Sequence, residues 1–202
     1  MFRRSLLLLV VVGLAGVLAA PAAALTYHVR VEGRTQTIFG PTDARFVTSA
    51  TTVTALDALE AASAAGEFFY RLETTAFGPY VGQIGRFPAA GTTGWVFKVN
   101  GVSPPVGADQ VVLRNGDRVL WYWAQFGATG GPQTLALRRE GARCYRVVAQ
   151  DDAGRARAAA GATLTADGRR YRANAQGRAC LPKHNGLVRA TLAGAVRSNA
   201  VR

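Results

Sequence analysis

Two runs of alternating aromatic residues, WVFKV at 95–99 and VLWYWA at 119–124, are each attached to an Asn-Gly pair and commit the middle of the chain to a sheet. Asn100-Gly101 closes the first run and Asn115-Gly116-Asp117 opens the second. Asn and Gly tolerate the positive φ angles of a type I′ turn, so tight turns are expected at both places. In the second run Val119, Trp121 and Trp123 share one face, and Leu120 and Tyr122 the other. Such a sheet carries more ring area than a single helix can cover. The surplus is either packed by the rest of the chain or left as a ligand platform.

The segments before it fill in the plan. TYHVRVE (26–32) and TQTIF (35–39) alternate around Gly33 as a hairpin. Thr54 followed three residues later by Asp57 is a capping-box pattern, Leu56, Leu59 and Ala62 recur at a spacing of three, and Gly66 stands at the expected end, which predicts a helix over 55–65. FFYRLETT (68–75) reads as a strand, and the Gly- and Pro-punctuated stretch 76–94 as a long excursion. A hairpin, one crossing helix and further strands predict an α+β class, with a β-grasp-like helix on a mixed sheet.

Charge divides the chain. From Leu25 to Gly130 eight basic residues face eight acidic ones, whereas from Gly131 to Arg202 there are fourteen against four, a net of +10. FGATGGPQ (126–133) is a Gly- and Pro-rich join. The expected division is a signal peptide over 1–24, a first domain over 25–126, a linker over 127–133 and a second domain over 134–202. The second domain alternates short β-prone runs with turns at Asp151–Gly154, Asp167-Gly168 and Gln176-Gly177, which predicts a small all-β sandwich.

Arg3 and Arg4 precede an apolar run of roughly 15 residues, shorter than the ~20 needed to span a bilayer, and Pro21 and Ala22–Ala24 follow it. That pattern predicts export, to a secreted or cell-envelope location, with no transmembrane segment left after cleavage. In an oxidising compartment Cys144 and Cys180 are expected to form one disulfide, closing a loop of about 36 residues and contributing roughly 3–4 kcal/mol.

TVTALDALEAA, FGPYVGQIG and GWVFKVNGVSPPVGADQVVLRNGDRVLWYW together resemble, in order and spacing, the bacterial transcobalamin C-terminal-like domain, a soluble-ligand-binding β-grasp family, over about 50–124. The resemblance implies an extracytoplasmic binding module, with cobalamin or another corrinoid as the best-known ligand class. It places ligand contacts at Phe77, Gly78, Pro79 and Tyr80, at Gly94, Trp95 and Phe97, and along the loop Pro104, Pro105, Val106, Gly107 and Asp109. In the animal proteins of that name a helical-repeat domain supplies the other wall, which this chain has no segment to build, so a separate partner protein completing the site is an expectation. The second half resembles the carboxypeptidase regulatory-like and related immunoglobulin-like sandwich modules, which implies a structural or adhesive appendage.

Little here predicts catalysis. His28 and His184, the only histidines, stand outside any serine-elbow or cysteine-nucleophile context and lack zinc-ligand spacing, so no catalytic residue, metal or cofactor is expected. Asp151 and Asp152 read as turn residues. The arginines of the second half lie along predicted strands without a stacking platform, which argues against nucleic acid and for an anionic envelope surface. The expected function is non-catalytic binding of a small apolar ligand, with a cell-envelope polymer and an adhesive role as the alternative.

Overall fold

A computed structural model describes residues 24–76, 78–128 and 130–202, so residues 1–23 of the predicted signal segment and Phe77 lie outside the described residues. Strands β1 (Leu25–Glu32) and β2 (Thr37–Thr48) form the first hairpin, and the helix α1 (Ala55–Gly66) follows. Next come β3 (Tyr70–Thr75), β4 (Gly78–Ile84), β5 (Phe87–Pro88), β6 (Thr93–Val99) and β7 (Arg118–Gln125). The second half contributes β8 (Gln133–Arg139), β9 (Cys144–Gln150), β10 (Ala156–Ala158), β11 (Thr163–Ala166), β12 (Arg169–Arg172), β13 (Arg178–Cys180), β14 (Arg189–Thr191) and β15 (Ala195–Val196).

One twelve-residue helix stands against fifteen strands among the described residues, so the chain is essentially all-β. This corrects the expected α+β class. The helix itself forms where the capping box places it, with Asp57 N–H donating to Thr54 Oγ1 at 3.1 Å and Thr54 N–H to Asp57 Oδ2 at 2.7 Å. The difference lies in the stretch 76–94, whose Gly and Pro residues predict an irregular excursion. It forms β4 and β5, which join β3 in a sheet of their own.

A four-stranded sheet in the order β2-β1-β7-β6 organises the first half, with β1 and β7 parallel and the other pairs antiparallel. Val29 and Val31 of β1 and Val119 and Trp121 of β7 pack with Ala55, Ala58, Leu59 and Ala62 of α1 in one apolar core. Asn100 and Gly101 adopt φ 53° and 85°, and Val99 and Val102 exchange hydrogen bonds across them at 2.9 and 3.0 Å, the expected two-residue turn. Strand β2 runs nine residues beyond the predicted end because the chain at Gly40 (φ 60°) to Asp43 (φ 59°) loops out at a register shift and then rejoins β1. Glu67, not Gly66, takes the left-handed cap. Gly66 is small for another reason: an added Cβ would lie 2.5 Å from the Phe39 ring.

In the second half β10-β9-β8-β15, with β13 on β9, faces β12-β11-β14. Leu135, Leu137, Tyr145 and Val147 from one sheet meet Leu164, Ala166 and Ala190 from the other in a second core. Cys144 and Cys180, opposite each other on β9 and β13, form the disulfide. Among the described residues no helix is long and apolar enough to cross a membrane.

The two cores meet on the face of the first sheet that points away from α1, and that face is polar. Glu32 and Lys98 are each 0% exposed. The Glu32 carboxylate accepts from Thr37 Oγ1 at 2.9 Å and pairs with Arg30 and, from the second half, Arg197, each at 3.3 Å. Arg197 also donates to the carbonyls of Gly33 and Arg34 at 2.9 and 3.1 Å. Burial pushes the Glu32 carboxyl above the usual carboxylate range, against the pull of the arginines.

Candidate ligand-binding cleft

Alternation along β6 and β7 sends Trp95, Phe97, Trp121 and Trp123 to the face that carries α1, with Trp95 opposite Trp123 and Phe97 opposite Trp121. Phe97 and Trp121 stack with centroids 5.0 Å apart. The indole N–H groups are used internally: Trp95 donates to Phe87 O at 2.7 Å and Trp121 to Ala55 O at 3.2 Å. Trp95 and Trp121 are each 2% exposed. These two rings are therefore largely packed by the rest of the fold, but they do not close it at its edge.

A cleft of about 320 Å³ remains alongside β6, the edge strand of the sheet. Pro79, Tyr80 and Val81 of β4 form one wall, Trp95, Val96 and Phe97 of β6 another, and Ser103, Pro104, Gly107 and Ala108 of the following loop a third. Leu56, Trp121, Tyr122 and Phe126 complete the apolar lining.

One end of the cleft is polar and comes from both halves of the chain. Asp152, in the turn after β9, accepts from Ser103 Oγ at 3.3 Å, while its carbonyl accepts from Ser103 N–H at 2.8 Å. Behind it the Lys98 ammonium donates to Asp151 O at 2.9 Å and pairs with Asp152 Oδ1 at 3.3 Å. Desolvation pulls the Lys98 amine below the usual lysine range, with the Asp152 charge opposing. Burial holds the Tyr122 hydroxyl well above the ordinary tyrosine range, and Asp152 adds to the effect. The cleft thus offers rings along its length and neutral or anionic oxygen at one end. Asp151 has a separate task, accepting from Arg155 N–H at 2.9 Å and Arg155 Nε at 2.7 Å within its turn.

Of the residues proposed from sequence, Pro79, Tyr80, Trp95, Phe97, Pro104 and Gly107 line the cleft. Gly94 stands behind it, where an added Cβ would come within 2.4 Å of Tyr80 Oη, so its missing side chain lets Tyr80 lie across β6. Gly78 and Asp109 adjoin one another outside the lining, and Pro105 and Val106 are exposed on the loop. Leu56, which the sequence presents as part of the helix stripe, and Asp152, a turn residue of the other half, also line the cleft. Neither carries a local signal for the site, because each is brought there by packing between distant segments.

A family model described as a domain of unknown function (DUF4430) matches residues 52–125. No curated protein matches the chain. Among solved structures it is similar to haptocorrin in complex with Cbi, with 20% identity, a TM-score of 0.46 and coverage of 52% of this chain and 26% of that one. It is also similar to a protein of Ruminococcus gnavus ATCC 29149 with an attributed metal-binding role, with 16% identity, a TM-score of 0.39 and coverage of 51% of this chain and 99% of that one. The chain therefore spans about a quarter of the length of haptocorrin.

Proposed function

We propose that the protein is an exported, non-catalytic binding protein that holds a small apolar ligand in the cleft beside β6. The observation that carries this reading is the lining itself: aromatic and proline surface around about 320 Å³, with the indole donors already satisfied and a polar group only at one end. Small-molecule sites are built this way, with apolar walls for affinity and a few polar groups for orientation. The leader-like first 24 residues and the Cys144–Cys180 disulfide support an extracytoplasmic location.

The sequence resemblance over 50–124 makes cobalamin the first ligand to try. The cleft volume stands at the low end of the roughly 300–1,000 Å³ of ordinary ligand sites, so a corrin ring would be gripped along one edge and would need a partner protein for its other face. Tryptophan emission, corrected for inner-filter absorption, tests this directly. Cobalamin is expected to quench the wild-type protein saturably, and Tyr80→Ala to weaken that binding about five- to tenfold through lost ring contact. Linear, non-saturating quenching that Tyr80→Ala leaves unchanged would remove cobalamin as the ligand.

A further inference from the structure

Away from the cleft, two arginines of the first half stand over aromatic rings without a carboxylate partner. Of the eight basic residues between Leu25 and Gly130, Arg30, Arg71, Lys98 and Arg118 form ion pairs. Arg34, Arg45, Arg86 and Arg114 form none among the described residues, and of these Arg34 and Arg86 line one hollow of about 430 Å³. The hollow is built from two turns. Phe87 packs on Gly33, where an added Cβ would lie 2.6 Å from its ring, and this brings the β1–β2 turn, with Arg34, against the β4–β5 turn, with Arg86. Arg86 donates to Gln36 Oε1 at 3.1 Å from one turn to the other. The Arg34 guanidinium lies 5.4 Å from the Trp123 ring centre and that of Arg86 lies 5.2 Å from the Phe87 ring centre. A ring beneath a guanidinium holds it by its face and leaves its N–H edge for an oxyanion.

Phe87, Pro88 and the partly exposed Trp123 give this hollow apolar surface, Thr93 and Gln125 give it neutral polar groups, and no Asp or Glu lines it. A second hollow of about 400 Å³ shares Arg34, Trp123 and Gln125 with the first, continues toward Pro132 and Arg197, and is also without an acidic residue. A single unpaired arginine on a surface is ordinarily solvated. Two of them held over rings on one acid-free hollow are complementary to a ligand that combines negative charge with an apolar face. We propose that the hollow at Trp123 binds an acidic saccharide chain, with the carboxylate of one sugar between Arg34 and Arg86 and its C–H face against Pro88 and the exposed part of Trp123. An inorganic anion would leave the apolar surface unused, and a neutral sugar would leave both guanidiniums unpaired. The adjoining hollow takes the next sugar of the chain beside Gln125. The site lies in the half of the chain whose net charge is zero, so local placement and not overall charge makes it basic. It shares no lining residue with the cleft beside β6, so its occupant is independent of the cleft's.

The full chain is titrated with trigalacturonate, with the neutral galactotriose and with inorganic phosphate, while the Trp123 indole resonances are followed. Trigalacturonate is expected to shift them saturably, and galactotriose and phosphate to bind at least about tenfold more weakly. Arg34→Gln and Arg86→Gln, both at exposed positions, should each weaken trigalacturonate binding about five- to tenfold. Arg172→Gln, at an exposed arginine of the basic second half, and Tyr80→Ala in the cleft should leave it unchanged. Equal affinity for trigalacturonate and galactotriose removes the role of the arginines, and phosphate binding as tightly as trigalacturonate removes the saccharide; either result overturns the proposal. So does binding that Arg172→Gln weakens and Arg34→Gln and Arg86→Gln do not, which would place the contact on the second half, and so does the absence of any shift.

Discussion

Replacing Arg197 by methionine tests the polar junction between the two cores. Methionine keeps much of the apolar stem and removes the guanidinium, which pairs with the fully buried Glu32 at 3.3 Å and donates to the carbonyls of Gly33 and Arg34. Breaking a buried ion pair by removing one partner costs about 3–5 kcal/mol, because the remaining charge is left uncompensated. Glu32 still has Arg30 at 3.3 Å and Thr37 at 2.9 Å, so the cost is expected near the lower end, about 2–4 kcal/mol at pH 7. With a urea m-value of about 2 kcal/mol/M, the unfolding midpoint falls by about 1–2 M. The pH dependence identifies the cause. Burial already holds the Glu32 pKa above its unfolded value of about 4.3, and loss of Arg197 raises it further. A group with a raised native pKa binds more protons in the folded state, so stability falls as pH climbs through the window between the two values. The deficit should be largest at neutral pH and should shrink below pH ~4, where Glu32 is protonated in both states, to about 1 kcal/mol for the lost carbonyl bonds. Adding Glu32→Gln to Arg197→Met should recover part of the neutral-pH loss. A deficit under about 0.5 kcal/mol, a deficit independent of pH, or strict additivity of the two substitutions would refute the argument.

Serine at both Cys144 and Cys180 should lower stability by about 3–4 kcal/mol, from the 36-residue separation in the chain-entropy model, read as a matching drop in urea midpoint that reductant reproduces in the wild type. A loss under about 1 kcal/mol would show that the loop is already restrained in the unfolded chain. Gly40→Ala and Gly116→Ala form a matched pair: both positions have positive φ, but an added Cβ meets Val29 O at 2.2 Å at the first and nothing within 4 Å at the second. Gly116→Ala should cost about 1–2 kcal/mol for the left-handed backbone alone, and Gly40→Ala clearly more by thermal unfolding. Equal costs would mean that the bulge relaxes around the new methyl group.

Local chemistry made much of this fold legible. The Asn100-Gly101 turn, the Thr54–Asp57 capping box and the two-faced alternation of β7 are all set by residues within a few positions of one another, and all appear as expected. Elements whose Gly and Pro residues have a purpose other than ending a strand differ from expectation. Gly40-Pro41 marks a bulge within one long strand and not its end. Gly78, Gly82 and Gly85 fall in or beside β4, where Gly82 makes room for the Glu73 side chain 2.2 Å from its missing Cβ and Gly85 provides a left-handed bend. Glycines of this kind look like loop signals but sit inside a sheet, so the chain is essentially all-β where its sequence predicts α+β. The cleft was half legible for the same reason. Its β4, β6 and loop walls lie in contiguous motifs, whereas Leu56, Phe126 and Asp152 join them only through tertiary packing.

The polar face between the cores bears on how that cleft is held. A sheet face built from Val and Leu would bury against the second half with comparable or greater stability, since buried ion pairs recover little beyond their desolvation. Apolar contact, however, is non-directional and tolerates sliding. Lys98 against the Asp151 carbonyl, Ser103 N–H on Asp152 O and Arg197 on Gly33 and Arg34 are directional, and each ties a residue of the first half to a backbone or side-chain group of the second. Two of the three act at the turn that carries Asp152 to the end of the cleft. On this reading the buried charges cost stability and fix register, and the register determines whether the second half closes the site. Arg197→Met then carries a second expectation distinct from its stability: with one tie lost and the two at Asp152 intact, the folded variant should keep its cleft, and its tryptophan emission maximum should stay within error of the wild type. A red shift in the folded variant would show that the ties do not act separately, and that the junction moves as one piece.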